Sequence, residues 1–233
     1  VTVTYCTAHN AVWMQDRKIG PGAVVKLVRS GGVIPKIVGV TKPSKRLQLP
    51  DIGYRVEGTH FVVAAANEAT NKEIEIERIV KFVKTLGIDF LAAKTIAKVH
   101  PLLPKPLTYI KKWAAGKLLT SLQVAGVGDG MSVKIVAEFD RVLGAKIAMR
   151  DMMVAVQCFG AGIGQRKLAQ LEAERVSMNT LVTSSRDHVK DLLQGVPGFA
   201  GKTTQLILNG LNEWDDFHTS IMDLVTLTGN LPK

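Results

Sequence analysis

Apolar and small residues in the second half of the chain recur with a period of 36 residues. The period is carried by four triplets in identical register: Phe90-Leu91-Ala92, Gly126-Val127-Gly128, Gly162-Ile163-Gly164 and Gly198-Phe199-Ala200. Nine residues after the start of each triplet lies a further apolar residue: Val99, Ile135, Leu171 and Ile207. A sustained period of this length indicates a repeated supersecondary unit. Because the triplets open segments of helical periodicity, the pattern predicts four helix-hairpin-helix units.

The glycines of the triplets indicate a contact with phosphate. Glycine permits a tight turn and a close approach to a ligand, and the N–H groups that begin the next helix then point at an anion. We expect a side chain larger than alanine at the third residue, Gly128 or Gly164, to push the backbone amides away from phosphate and to force an unfavourable φ. The first triplet has no glycine, so we expect it to serve packing. The predicted DNA contacts here are Gly126, Gly128, Gly162, Gly164, Arg166, Lys167, Gly198, Lys202 and Thr203.

Residues 1–66 follow a different pattern, in which apolar and polar positions alternate as they do in strands. The alternation is clearest in residues 1–5, 23–28 and 34–40. Glycine and proline mark turns at residues 19–22, 31–32 and 51–53. Short strands joined by glycine-rich turns predict a small β-barrel. From about Lys72 the period becomes helical, so the sequence predicts an α+β chain.

Charge narrows the choice of partner. The chain has 30 Lys and Arg against 20 Asp and Glu, a net charge of +10, which favours a polyanion or an acidic membrane surface. The net charge alone does not choose between these two. No uncharged run reaches the length of a membrane span, and the predicted partner is nucleic acid and not a membrane. The two cysteines, Cys6 and Cys158, suit a reducing compartment and cannot form a four-cysteine zinc site. The histidines show no spacing typical of a triad or a metal site, and Asp215-Asp216 suits a turn or helix cap instead of a catalytic pair. No catalytic or metal-binding residue is therefore predicted.

Two further segments allow alternative interpretations. The segment Arg29 to Lys36 combines a charge, a glycine turn, Val33-Ile34 and a proline, which suits a hairpin whose tip enters a groove. From the residues alone, an ordinary hairpin with a buried apolar pair is the favoured interpretation. Gly201-Lys202-Thr203 suggests a phosphate-binding P-loop, but that motif needs glycine where the chain has Val196. We therefore assign these three residues to the fourth hairpin.

Three stretches of the first part resemble the OB-fold domain of bacterial NAD-dependent DNA ligases. They are Thr7-Ala8-His9-Asn10, Ile19-Gly20-Pro21-Gly22 and Arg29 to Lys36. The family has Thr-x-His-Asn, Ile-Gly-Asp and Arg-Ala-Gly-Asp-Val-Ile-Pro in the same order and at similar spacing. It continues with a four-cysteine zinc finger, a domain of four helix-hairpin-helix units and usually a BRCT domain. The chain departs from the family in having no cysteine between Lys42 and Lys72 and no Lys-x-Asp-Gly adenylation motif.

The resemblance implies an OB-fold barrel over residues 1–42 whose first strand is absent or comes from elsewhere. A small zinc-less β segment would cover residues 43–72, four helix-hairpin-helix repeats residues 73–214, and a C-terminal tail residues 215–233. It also implies that the barrel meets DNA through Thr7, His9, Asn10, Arg29, Val33, Ile34 and Lys36.

The same resemblance implies a function in DNA replication and repair. The chain would position nicked duplex DNA for sealing of a 3′-hydroxyl/5′-phosphate nick. The adenylated lysine, NAD and Mg would belong to a nucleotidyltransferase domain or subunit outside this chain, which by itself would bind no cofactor and take no adenylate. A bacterial or phage-infected cytoplasm would be the location.

Two other functions remain open from the sequence. A non-enzymatic protein that binds DNA junctions can join the same two modules, although such proteins usually have two hairpins instead of four. A helical repeat can also serve as a scaffold that binds protein alone. Salt-dependent DNA binding separates the scaffold from the other two, and preference for nicked over four-way DNA separates the ligase from the junction binder.

Overall fold

The computed structural model describes residues 5–30, 34–51, 53–64, 71–160, 162–199 and 201–229. The chain divides into two compact units, residues 1–71 and 72–233. The first unit contains short antiparallel strands and one helix, and the second is mainly helical. The mixture agrees with the predicted α+β class. The strand predicted for residues 1–5 and the turn at Gly31-Gly32 fall largely outside the described residues.

The first unit contains two antiparallel ribbons and a short helix. Its elements are α1 (Ala11–Asp16), β1 (Val24–Ser30), β2 (Ile34–Lys42), β3 (Tyr54–Glu57) and β4 (His60–Val63). β1 pairs with β2, and β3 pairs with β4. Within the residues that the structure describes, the strands form two-stranded sheets and do not close into a barrel.

Helix α1 lies in a part of the chain for which the sequence predicted strands, and that prediction is wrong for residues 11–16. The side chain of Asn10 accepts a hydrogen bond from the backbone N–H of Trp13 at 2.8 Å. This is an N-cap contact, which satisfies one of the unpaired N–H groups at a helix start. A local side-chain contact thus starts a helix where the alternation of apolar residues favoured a strand.

The turn at residues 19–22 requires glycine because another segment lies against it. A Cβ atom on Gly20 would come within 2.6 Å of the carbonyl oxygen of Arg46. The hydroxyl oxygen of the buried Ser44 lies 2.7 Å from the Pro21 carbonyl oxygen and 2.6 Å from that of Arg46. Gly20 therefore has a structural role in the approach of these two segments.

The second unit contains ten helices and one pair of short strands among its described residues. The parallel strands β5 and β6 join its middle to its end. Its core is continuous, and the largest fully buried side chains include Trp214, Tyr109, Phe82, Phe139 and Phe199. In chain order the elements are α2 (Lys72–Leu86), α3 (Ala93–Val99), α4 (Pro106–Ala114), α5 (Leu118–Val124), α6 (Asp129–Leu143), β5 (Lys146–Ala148), α7 (Met149–Val156), α8 (Gln165–Ala173), α9 (Met178–Thr183), α10 (Arg186–Gln194), α11 (Lys202–Ile221) and β6 (Thr226–Thr228).

The last helix extends further than the sequence indicated. We expected Asp215-Asp216 to form a turn or cap, but both lie inside α11. The helix continues because Trp214 and Ile221 keep its apolar side in the core. The carboxylate of Asp215 forms an ion pair with Arg186 of α10, which ties the two helices together.

The two cysteines are free and differ in burial, and this difference predicts different reactivity. Burial raises the pKa of the Cys158 thiol to about 12, while Cys6 is partly exposed. Because the thiolate is the reactive form, we expect a disulfide reagent at pH 8 to modify Cys6 quickly and Cys158 only on unfolding. Counting thiols with and without denaturant tests this, with Cys6→Ser as control. Two thiols reacting at equal rates in the folded protein would contradict it.

Candidate nucleic-acid interface

The described residues of the predicted triplets all lie in loops between consecutive helices. The described part of the second unit contains four such helix-loop-helix arrangements, formed by α2 and α3, α5 and α6, α7 and α8, and α10 and α11. The connecting loops are residues 87–92, 125–128, 157–164 and 195–201. We call them hairpins 1 to 4. The 36-residue register of the sequence therefore corresponds to a repeated place in the fold.

The first residue of each triplet has a left-handed backbone. The φ angles are +63° for Phe90, +82° for Gly126, +109° for Gly162 and +78° for Gly198. Positive φ suits glycine and costs other residues roughly 1 to 3 kcal/mol. Hairpin 1 therefore keeps the turn of the other three, although its first residue is phenylalanine.

The middle residue of each triplet anchors its hairpin in the core. Leu91, Val127, Ile163 and Phe199 are all buried. The apolar residues nine positions after each triplet start, Val99, Ile135, Leu171 and Ile207, are completely buried. In two hairpins a hydroxyl adds a hydrogen bond to the middle carbonyl, from Ser132 to Val127 at 3.2 Å and from Thr204 to Phe199.

The third residue of the triplet does not need glycine for its backbone conformation. The φ angles of Gly128 and Gly164 are −61° and −126°, and Ala92 at the same place has −77°. Our expectation of an unfavourable φ at this position is therefore wrong. A Cβ atom on Gly128 or Gly164 would also meet no described atom within 4 Å. Both glycines leave open space before a helix N-terminus, which is where an anion would lie.

The helices that follow hairpins 2, 3 and 4 have open N-termini. Their N-cap residues are Gly128, Gly164 and Gly201, and no described side chain caps α6, α8 or α11. The helices α3, α4, α5 and α7 likewise have no side-chain cap, whereas Ser177 and Ser185 cap α9 and α10. Uncapped N–H groups at a helix start, together with the helix dipole, attract an anion.

Charge distinguishes the hairpins from one another. Helix α8 begins with Gln165-Arg166-Lys167, and α11 has the exposed Lys202 in its first turn. Helix α6 instead begins with Asp129, whose carboxylate accepts a hydrogen bond from the Gln123 amide at 2.8 Å. A carboxylate at this point repels phosphate. Hairpin 2 therefore carries both motif glycines but has the least suitable charge.

Lysines on the helices that follow hairpins 1, 2 and 3 contact a neighbouring hairpin, and these contacts join the four hairpins into two pairs. In the first pair, Lys98 donates to the carbonyl of Gly126, while Lys134 lies 5.8 Å from the ring centroid of Phe90. In the second pair, the Lys167 ammonium donates to the Gly198 carbonyl at 3.0 Å and lies over the ring of Phe199. Lys167 therefore has a structural contact, whereas the neighbouring Arg166 is exposed.

Hairpin 1 is also held by two side chains of α6 that the sequence did not reveal. Glu138 accepts the backbone N–H of Asp89 at 3.1 Å, and Arg141 donates to the carbonyl of Gly87 at 2.5 Å. The hydrogen bond from Arg141 and that from Asp89 lower the pKa of Glu138 below its usual value. These residues lie about 50 positions from their partners, so no local pattern marks them.

The predicted DNA contacts of the first unit take part in its internal structure to different degrees. The ring Nε2 of His9 lies 2.7 Å from the Ile37 carbonyl oxygen, and the Asn10 side chain caps α1. Arg29 and Lys36 are exposed on β1 and β2, and Thr7 is exposed beside Lys36. Val33 lies outside the described residues, and the structure describes the backbone of Ile34 alone.

A histidine–carboxylate contact that the sequence analysis missed lies in the second unit. The Nε2 atom of His100 is 2.8 Å from an oxygen of Glu75, and both side chains are largely buried. It joins the end of α3 to α2. Among the described residues, no group of three His, Cys, Asp or Glu side chains could hold a metal ion. Within the same residues, no helix has both the length and the apolarity to cross a membrane.

Comparison with known proteins points to one enzyme class. A protein named DNA ligase from Acanthamoeba polyphaga mimivirus is 26% identical over 97% of this chain and 35% of its own length. DNA ligases from Psychromonas ingrahamii and Vesicomyosocius okutanii are 29% and 26% identical over 90% of the chain. The chain is related to DNA ligases. No protein-family model matches it.

The similarity covers most of this chain but a small part of each ligase. The chain spans about a third of the length of the mimivirus, Psychromonas and Vesicomyosocius ligases. The relatives include both viral and bacterial proteins. The relation therefore concerns one portion of a DNA ligase, which includes both units described above.

Proposed function

We propose that this chain is the DNA-holding portion of an NAD-dependent DNA ligase. Its first unit corresponds in this proposal to the OB-fold and the zinc-less segment, and its second unit to four helix-hairpin-helix repeats. The observation that carries the proposal is the repeated hairpin geometry. Three uncapped helix N-termini lie behind open space at Gly128, Gly164 and Gly201, and exposed cations accompany two of them.

The hairpins would hold duplex DNA through its phosphates. Arg166 and Lys202 lie in the first turns of α8 and α11, where they add charge to the N–H groups of the helix starts. Contacts of this kind position a protein on DNA and carry no sequence information. A nick can occur in any sequence, so an interface without base specificity suits a nick-sealing enzyme.

The first unit would contribute contacts near the nick. Arg29 and Lys36 lie on adjacent strands of one ribbon, and both are exposed. Val33 and Ile34, between them in sequence, would face sugars and base edges of the minor groove. His9 and Asn10 would act by fixing the start of α1 and its contact with β2, since both side chains are engaged there. Thr7 lies beside Lys36 and would belong to the same DNA-contacting surface.

NAD and Mg would bind to a nucleotidyltransferase domain or subunit and not to this chain. The described residues contain no cluster of three metal-ligating side chains, and the sequence lacks the Lys-x-Asp-Gly motif. The residues of this chain would hold both ends of the nick in line. Alignment of reacting groups itself lowers the barrier, because it removes the entropic cost of bringing them together. The setting would be DNA replication and repair in a bacterial or phage-infected cytoplasm.

We expect the chain to bind duplex DNA with a strong dependence on salt. Neutralising roughly six phosphates gives a slope of about −5 for log affinity against log salt concentration. Fluorescence anisotropy with labelled duplexes of unrelated sequence measures the slope, and nicked, intact and four-way DNA of equal length provide the comparison. Similar affinity for unrelated sequences and preference for nicked DNA would support the proposal. A slope near zero would contradict any DNA-binding function, and preference for four-way DNA would favour a junction-binding protein.

A further inference from the structure

Hairpin 1 presents an aromatic side chain where the other three hairpins have glycine. Phe90 has the same left-handed backbone as Gly126, Gly162 and Gly198. Its side chain is 51% exposed, whereas the neighbouring Leu91 is 4% exposed and supplies the contact with the core. Packing therefore does not explain why a phenylalanine occupies a position that favours glycine.

Phe90 follows the exposed Asp89 and lies near a lysine, on a loop that side-chain contacts hold in place. The Lys134 ammonium lies 5.8 Å from its ring centroid, and Lys94 is exposed in the first turn of α3. The backbone on the other side of Phe90 is fixed by the contacts of Asp89 with Glu138 and of Gly87 with Arg141. The ring is thus exposed on a fixed loop, with the Lys134 ammonium near it and the exposed Lys94 four residues later in the chain.

We propose that Phe90 is a DNA contact of its own, whose ring packs against a base or a deoxyribose while Lys94 and Lys134 face the flanking phosphates. Aromatic side chains stack on bases of any sequence, and apolar side chains in the minor groove insert between base steps. This inference rests on the proposed function. It assigns a DNA contact to the hairpin that the glycine pattern assigned to packing.

The position of Lys134 favours nucleic acid over a protein partner at the ring of Phe90. An apolar contact with a protein would bury the ring among further apolar groups and would have to remove Lys134 from water. Beside DNA, the same ammonium gains a phosphate and the ring gains a sugar or base. On α6, Met131 lies one turn before Lys134 and is 43% exposed, which extends the apolar surface next to the cation.

The variant Phe90→Gly distinguishes this inference from the alternative in which glycine at the first triplet position admits phosphate. The two hypotheses predict opposite changes in DNA affinity. If glycine at this position simply admits phosphate, the variant restores the motif and binds DNA more tightly. If the ring contacts DNA, affinity falls, and we expect a loss of roughly 5- to 30-fold. The fold should be retained, because glycine adopts the φ of +63° without strain. Circular dichroism and thermal melting provide that check.

The salt dependence identifies the kind of contact that is lost. Removal of a ring should displace the plot of log affinity against log salt without changing its slope, whereas Lys94→Ala should reduce the slope by roughly one phosphate contact. Phe90→Trp should keep the affinity, and the fluorescence of the new tryptophan should change on DNA binding. If the unmodified chain binds no DNA, the proposed function itself fails. If it binds DNA and Phe90→Gly binds equally or more tightly, the function stands and this inference is overturned.

Discussion

Replacing Gly210 with alanine is expected to lower the free energy of unfolding by about 3 kcal/mol, because a methyl group has no room there. Gly210 lies in the middle of α11, against the start of hairpin 3. A Cβ atom would come within 2.3 Å of the Phe159 ring, 2.7 Å of the Cys158 carbonyl oxygen and 2.8 Å of the Phe159 Cα atom. Two of these are backbone atoms, which cannot move without displacing the hairpin.

Helix propensity alone predicts the opposite result for this change. Alanine is favoured over glycine in a helix interior by about 1 kcal/mol, so the steric cost must exceed that gain. Gly130 in α6 is the matched control, since a Cβ atom there meets no described atom within 4 Å. We expect Gly130→Ala to leave stability unchanged or slightly higher. Urea unfolding followed by circular dichroism compares the two, and a Gly210→Ala protein as stable as the unmodified chain would refute the predicted packing.

The variant Gly164→Val is expected to weaken DNA binding by about 1 to 3 kcal/mol, the cost of losing one or two charge-assisted hydrogen bonds. The fold should tolerate it, because the φ of −126° is compatible with a β-branched residue and the space around Gly164 is open. Loss of glycine at an N-cap should cost no more than about 1 kcal/mol. The side chain would occupy the place of a phosphate in front of Arg166, and anisotropy at one salt concentration measures the loss.

Gly128→Val is the control for this experiment because it changes the same position of a different hairpin. Its glycine lies before Asp129, which disfavours phosphate, so we expect a much smaller loss of affinity. The sequence alone had predicted equal importance for the two glycines. Equal losses from both variants would show that the charge at the helix start does not determine how much each hairpin contributes to DNA affinity. If neither variant loses affinity, phosphate contact at the third triplet position is refuted.

The sequence predicted the repeat because the core repeats. A residue such as Val127 or Phe199 must be buried wherever a hairpin meets the core, and so must the residue eight positions later, such as Ile135. This requirement is local to each unit and therefore leaves a periodic trace. The change from alternating to helical periodicity near Lys72 is likewise a local property, and the boundary between the two compact units lies at that point of the sequence.

The sequence was less informative where short-range contacts compete with a pattern. Alternation favoured strands throughout residues 1–66, but the cap formed by Asn10 starts a helix at Ala11. At the end of the chain, Asp215-Asp216 suggested a turn, but burial of Trp214 and Ile221 extends the helix past both. In each case a few specific contacts outweigh an average preference.

The 36-residue register and the burial of the triplet centres were determined by the sequence, because each unit must bury the same positions. Tertiary structure alone decided which glycine adopts a positive φ and which leaves open space before a helix, since a triplet sequence does not reveal φ. It also decided the pairing of hairpins through Lys98 and Lys167, whose partners lie 28 and 31 residues away. Phe90 illustrates the difference: the first triplet lacks the glycine, but its backbone adopts the same left-handed turn.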